Sequence, residues 1–165
     1  MGSASDPLTP AINSILWPYL RGHGFSKTTA RRFAREKNGV IQQLWVDANG
    51  VAGRRRTLIV LCANFVFGSV KGYMDPHGFR MRPRWDTSDP GLAELSMAQI
   101  VDALESTELA ALDALSNASD MIESLKRFSV KRTWYATYSE LYRRWQNGDP
   151  ELISIASENR RALKL

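Results

Sequence analysis

The sequence predicts an α+β fold: an N-terminal helix, an antiparallel meander of about four strands, then a C-terminal group of three to four helices packed on the sheet. Three observations carry this. Apolar residues recur at helical spacing at Ile12, Ile15, Leu16, Tyr19 and Leu20. Between residues 31 and 85 the pattern turns to runs and alternations of strand type, broken at Asn38-Gly39 and Asn49-Gly50. After Thr87-Ser88-Asp89-Pro90-Gly91 only helical stripes follow. Strands and helices do not alternate, so the pattern is not that of a parallel sheet. A length of 165 residues fits one domain, placed at 9–165 behind a flexible tail of residues 1–8. Its helix-plus-sheet part covers 9–86 and its helical part 92–165.

Each element has a local cause. Thr9-Pro10 reads as a helix start, with Thr as N-cap and Pro at the first helical position. Pro18 should kink that helix, because it lacks an N–H and crowds the preceding turn. Gly22-His23-Gly24 ends it. Residues 31–37 and 40–47 form a hairpin around Asn38-Gly39, a strong two-residue turn signal. Residues 57–67 are apolar on both faces for most of their length, as in a central strand. Residues 79–85 alternate apolar and arginine, which sends Phe79, Met81 and Trp85 to a core and Arg80, Arg82 and Arg84 away from it. Pro83 puts this strand at a sheet edge or at its own end. In the helical part, Ser96 with Gln99 reads as a capping box, Ser106-Thr107 as a restart and Ser119-Asp120 as a further start. Met121, Ile122, Leu125 and Phe128 share one side of that helix. Trp134, Tyr135, Tyr138, Leu141, Tyr142 and Trp145 form an aromatic stripe, closed by Asn147-Gly148, and Asp149-Pro150 opens the last helix.

Composition narrows the class. The apolar share of 44% and charged share of 24% are those of a globular protein with a proper core. The longest apolar run, Leu58-Ile59-Val60-Leu61-Cys62-Ala63, is too short for a bilayer, and the first residues lack the sections of a signal peptide. One cysteine excludes an internal disulfide, and the expected location is the cytoplasm, with no membrane partner. The net charge of +5 is strongly segregated: +7 over residues 1–91, −7 over 92–125 where no Lys or Arg occurs, and +5 over 126–165. A basic protein built this way is able to supply its own anions.

Part of the first half resembles a bacterial family known as Domain of Unknown Function 4304. The resemblance rests on Leu16-Trp17-Pro18-Tyr19-Leu20, Gly24-Phe25, Arg32-Phe33-Ala34-Arg35 and Gly39-Val40-Ile41-Gln42, and covers roughly residues 10–85. It implies a small α+β fold and no established activity, so no catalytic residues follow from it.

No catalytic set, metal site or cofactor is expected. His23 and His77 read as exposed turn residues; the competing reading joins them as an acid–base pair, or as a metal site with Asp75. Cys62, in the most apolar strand, reads as a small buried hydrophobe rather than a reactive thiol. The stretch Gly68-Ser69-Val70-Lys71-Gly72 lacks phosphate-loop spacing. The aromatic stripe reads as a core face in preference to a base-stacking platform or partner groove. The arginines remain: Arg31, Arg32 and Arg35; Arg54, Arg55 and Arg56; Arg80, Arg82 and Arg84. They are expected to line one basic face, with Trp45 or Trp85 near it. Three uses are open: pairing with the acidic segment 92–125 or with solvent, binding another protein, or binding nucleic acid. The expected function is a non-catalytic protein-interaction module that presents Arg54, Arg55, Arg56, Arg80, Arg82, Arg84 and Trp85 to another protein. A nucleic-acid-binding domain is the alternative, and an enzyme with a dispersed site the third reading.

Overall fold

The N-terminal helix starts two residues earlier than its Thr9-Pro10 signal, with Pro7 rather than Thr9 at the N-cap and Leu8 rather than Pro10 as the first helical residue. Helix α1 (Leu8–Ala11) passes through a π-helical turn, Ile12–Leu16, into α2 (Trp17–Gly22). The Asp6 carboxylate, one residue before the N-cap, accepts from the Leu8 N–H and the Thr9 hydroxyl. Leu8 is fully buried, so residues assigned to a tail belong to the fold. The π-turn sits directly before Pro18, where a widened turn accommodates the missing N–H. These features come from a computed structural model that describes residues 6–49, 54–68, 77–81, 83–127 and 132–165.

The sheet is an antiparallel meander. Strands β1 (Ser26–Thr29), β2 (Arg32–Lys37), β3 (Val40–Asn49), β4 (Arg56–Phe65) and β5 (His77–Arg80) lie in chain order, and β6 (Trp85–Asp86) also pairs with β4. The β2–β3 turn has Asn38 at φ 47° and Gly39 at φ 78°, as a hairpin turn with two positive φ values requires. A Cβ at Gly39 would meet only Val66 Cγ1, at 4.0 Å, so its constraint is conformational rather than steric. Gly39→Ala is therefore expected to cost about 1–2 kcal/mol in a thermal or urea melt, the left-handed penalty of an L-residue. A loss below about 0.3 kcal/mol would show the turn relaxing to another type.

The arginine strand predicted at 79–85 is two strands. Val60 pairs with Arg80 and Thr57 with Trp85, so the edge chain carries two more residues than β4 between those rows. Pro83 lies in this interval, where no ladder N–H is required. Strand β1, unread in the sequence because Ser-Lys-Thr-Thr is polar, forms the other edge with a register irregularity.

Register defines two faces. Phe33, Leu44, Leu61 and Phe65 face the N-terminal helix, where Trp17 stacks on Phe33 at 5.6 Å. Helix α3 (Pro90–Ala103), a second π-turn (Leu104–Glu108) and α4 (Leu109–Asp113) complete that layer. Asp89, not Ser96, caps α3: it accepts from the Leu92 N–H ahead of Pro90. Ser96 is buried mid-helix and donates to the Asp86 carbonyl. Residues 106–107 continue the helix through the π-turn, and α5 (Ala118–Lys126) is capped by Asn117. Phe128 lies outside the described residues. Helices α6 (Arg132–Gln146) and α7 (Pro150–Leu163) close the end of the sheet where β4 finishes. Tyr138 stacks on Phe65, Trp145 packs on Phe67, and Asn159 donates to the carbonyls of Val66 and Gly68. Arg160 makes a two-pronged ion pair with Glu36 of β2. No described helix is long and apolar enough to cross a membrane.

Candidate functional site at the arginine-rich sheet end

Antiparallel pairing brings the start of β2, the end of β3, the start of β4 and β6 to one end of the sheet. Arg32 lies opposite Trp45, and Arg56 is flanked by Asn49 and Asp86. Six arginines gather there: Arg31, Arg32, Arg54, Arg55, Arg56 and Arg84. The sequence pattern identified each as a charge, but only register places them together.

They are not equivalent. Arg54, Arg56 and Arg84 are exposed. Arg31 and Arg55 converge on Asp6: Arg31 Nη2 is 2.5 Å from Oδ2, and Arg55 Nη1 donates to Oδ1. Partial burial alone would raise the Asp6 pKa. The hydrogen bonds from Arg31, Thr9 and the Leu8 N–H, with the Arg31 charge, outweigh it and hold the carboxyl below the usual carboxylate range. Arg32 is exposed and lies over the Trp45 ring, 4.0 Å from its centroid. Asp86 is also held low, first by the Ser88 hydroxyl and N–H and then by the charge of Arg56.

Of the predicted site residues, Trp85 is only 5% exposed and belongs to the core, as the alternation required, so it offers nothing to a partner. Arg80 sits in β5 opposite Val60, but its side chain lies outside the described residues, as does Arg82 entirely. Asp75 and the side chains of His77 and Phe79 lie outside them too.

Among the described residues, no carboxylate of the acidic segment pairs with the arginines of this sheet end. Among the described ion pairs, the only acid of 92–125 that reaches the sheet is Asp113, and it takes Arg35 and Lys37. Arg35, grouped with the surface arginines in the sequence, points to the helix side and is 4% exposed. Its Nε donates to Gln42 Oε1 at 2.8 Å, Nη1 to the His23 carbonyl at 2.7 Å and Nη2 to Asp113 at 2.5 Å. Its guanidinium lies over the Phe25 ring at 4.5 Å. Gln42 in turn donates to the Leu112 carbonyl, so α4 is joined to the sheet by polar bonds as well as apolar packing. Burial lowers the Arg35 pKa, and Asp113 opposes that. Alternation marked two faces of β2, yet the buried one here carries a cation. The legible signal was the glutamine on the neighbouring strand, a second polar residue on the core side.

Cys62 is fully buried. His23 is exposed with Nδ1 at 2.9 Å from the Tyr19 carbonyl. The aromatic stripe of α6 is less buried than a core face: every described side chain keeps some exposure, and Trp134 is 42% exposed. Trp134, Tyr138 and Leu141 line a groove of about 570 Å³ with Phe67, Leu152 and Ile155, and Arg144 and Glu151 stand at its rim.

No protein-family model, curated protein or solved structure matches the chain.

Proposed function

We propose that this chain acts by binding, and that the arginine-rich sheet end receives an acidic segment of another protein. The observation that carries the reading is the exposure of Arg54, Arg56 and Arg84 at a place where no described carboxylate of 92–125 pairs with them. Arginine suits such a role, because its planar fork pairs with carboxylates and it is favoured at interface hot spots. A protein partner is favoured over nucleic acid for two reasons. Asp6, Asp47 and Asp86 are interspersed among the arginines and would repel a continuous phosphate backbone. The two tryptophans near them are 6% and 5% exposed, so neither presents a face for base stacking. Kinship with the Domain of Unknown Function 4304 family remains part of this proposal. The helix, hairpin and sheet order over residues 10–85 accords with the fold it implies, and it adds no activity.

The test is fluorescence anisotropy with a labelled octaglutamate peptide, against mixed-sequence DNA and RNA, at about 50 and 300 mM salt. Peptide binding is expected to be the tighter and to weaken with salt. In Arg54→Ala/Arg56→Ala it should fall roughly tenfold, the loss of two solvent-facing charges, with the melting temperature unchanged. Tighter nucleic-acid binding would transfer the site to the alternative reading, and no peptide binding at low salt would end this one.

A further inference from the structure

Asp6 belongs to the binding face without being on the sheet. Both of its oxygens are engaged, each by a different arginine, and those arginines lie 25 and 49 positions away in the chain. Arg31 comes from the turn between β1 and β2, and Arg55 from the residues leading into β4. Two guanidinium groups from separate loops closing on one carboxylate make a carboxylate site, and the structure shows it filled.

We propose that Arg31 and Arg55 form a carboxylate-binding site whose resident ligand in the free protein is the chain's own Asp6, and that an acidic protein segment binds by displacing it. The inference rests on the reading of the sheet end as a binding face, and it assigns that face its regulation. Three features make the occupant exchangeable. The Asp6, Arg31 and Arg55 side chains are 31%, 33% and 28% exposed, so a competitor reaches them from solvent. Only Asp6 and Pro7 have to swing, because Leu8 is buried and holds the helix in place. Exposed Arg54 and Arg56 flank Arg55 in sequence, so an incoming chain that crosses the strand end meets further cations on either side of the one it frees.

The tether also selects the ligand. An attached carboxylate acts at an effective concentration in the millimolar range, which a single free carboxylate cannot overcome at ordinary levels. A segment with several carboxylates gains Arg54 and Arg56 as well and displaces Asp6. The class of partner is therefore a polyacidic peptide rather than a small organic acid.

Asp6→Asn removes the charge, keeps one oxygen able to accept from the Leu8 N–H, and places an amide N–H able to donate to the Thr9 hydroxyl oxygen. Octaglutamate is expected to bind Asp6→Asn roughly three- to tenfold more tightly than wild type, as release from two exposed ion pairs allows. In wild type, the arginine Nε–H nuclear magnetic resonance signals of Arg31 and Arg55 should move as octaglutamate is added, while acetate at the same carboxylate concentration leaves them in place. Unchanged or weaker binding by Asp6→Asn, with binding still weakened roughly tenfold in Arg54→Ala/Arg56→Ala, overturns this proposal and leaves the binding face standing. Static Arg31 and Arg55 signals during saturation do the same, even if Asp6→Asn fails to fold. Absence of octaglutamate binding by both wild type and Asp6→Asn at low salt overturns the proposal and the binding face together.

Discussion

Phe65→Ala is expected to destabilise the protein by about 3–5 kcal/mol, the range for deleting a fully buried aromatic side chain. Phe65 is 2% exposed and pairs in register with Val40. Its ring stacks on Phe67 at 5.2 Å and on Tyr138 at 4.7 Å. The second contact gives the substitution a long reach. Tyr138 is part of a helix whose described side chains are all at least partly exposed, so α6 depends heavily on the few rings that hold it to the end of β4. The urea midpoint should fall with little change in slope. Amide exchange in α6 should rise more than in β3, whose ladder to β2 is untouched. Phe65→Leu should lose only about half as much as Phe65→Ala, because it fills part of the cavity. A loss below about 1 kcal/mol for the alanine variant would mean that the neighbouring rings collapse into the space.

Asp113→Ala is expected to cost about 2–4 kcal/mol. The variant leaves the Arg35 guanidinium without a carboxylate, and breaking a buried pair from one side costs more than the pair contributes. The figure is set below that of a wholly buried pair, because the Asp113 side chain is 38% exposed while that of Arg35 is 5% exposed. Gln42 and the His23 carbonyl keep two of the three hydrogen bonds, which limits the loss further. Asp113→Asn keeps an acceptor for Arg35 Nη2 and should lose less. The double variant Arg35→Met/Asp113→Ala removes the stranded charge, so a double-mutant cycle should show coupling above about 1 kcal/mol. If Asp113→Ala loses less than about 0.5 kcal/mol, the neutral acceptors alone sustain Arg35 and the ion pair is incidental.

These two residues also show where the chain is legible and where it is not. Asn38-Gly39 was readable because a turn with positive φ at both centres has few residue solutions, and Asp149-Pro150 because cap and first-turn preferences are local. The helical periods at 12–20 and 134–145 likewise foretold elements in the right places. Ser96-Gln99 misled because the same local grammar occurs upstream at Asp89-Pro90, and the earlier signal is the one in use. Strand β1 was invisible, since an edge strand of polar residues needs only backbone pairing from β2.

The binding face divides in the same way. Residue order alone settles the α+β succession, the hairpin, the start of the last helix and the number of arginines, because each follows from dihedral preference or from counting charge. It does not say which arginine meets water. Arg35 and Arg32 stand three residues apart on one strand, and one is buried against Asp113 while the other is exposed over Trp45. Alternation assigns them to opposite faces, but only the packing of α4 makes one face the interior. Arg55 and Asp6 are likewise joined by how the N-terminal helix crosses the sheet, across a separation that no local pattern records. Charges act through space, and the distances between them exist only after the chain has packed.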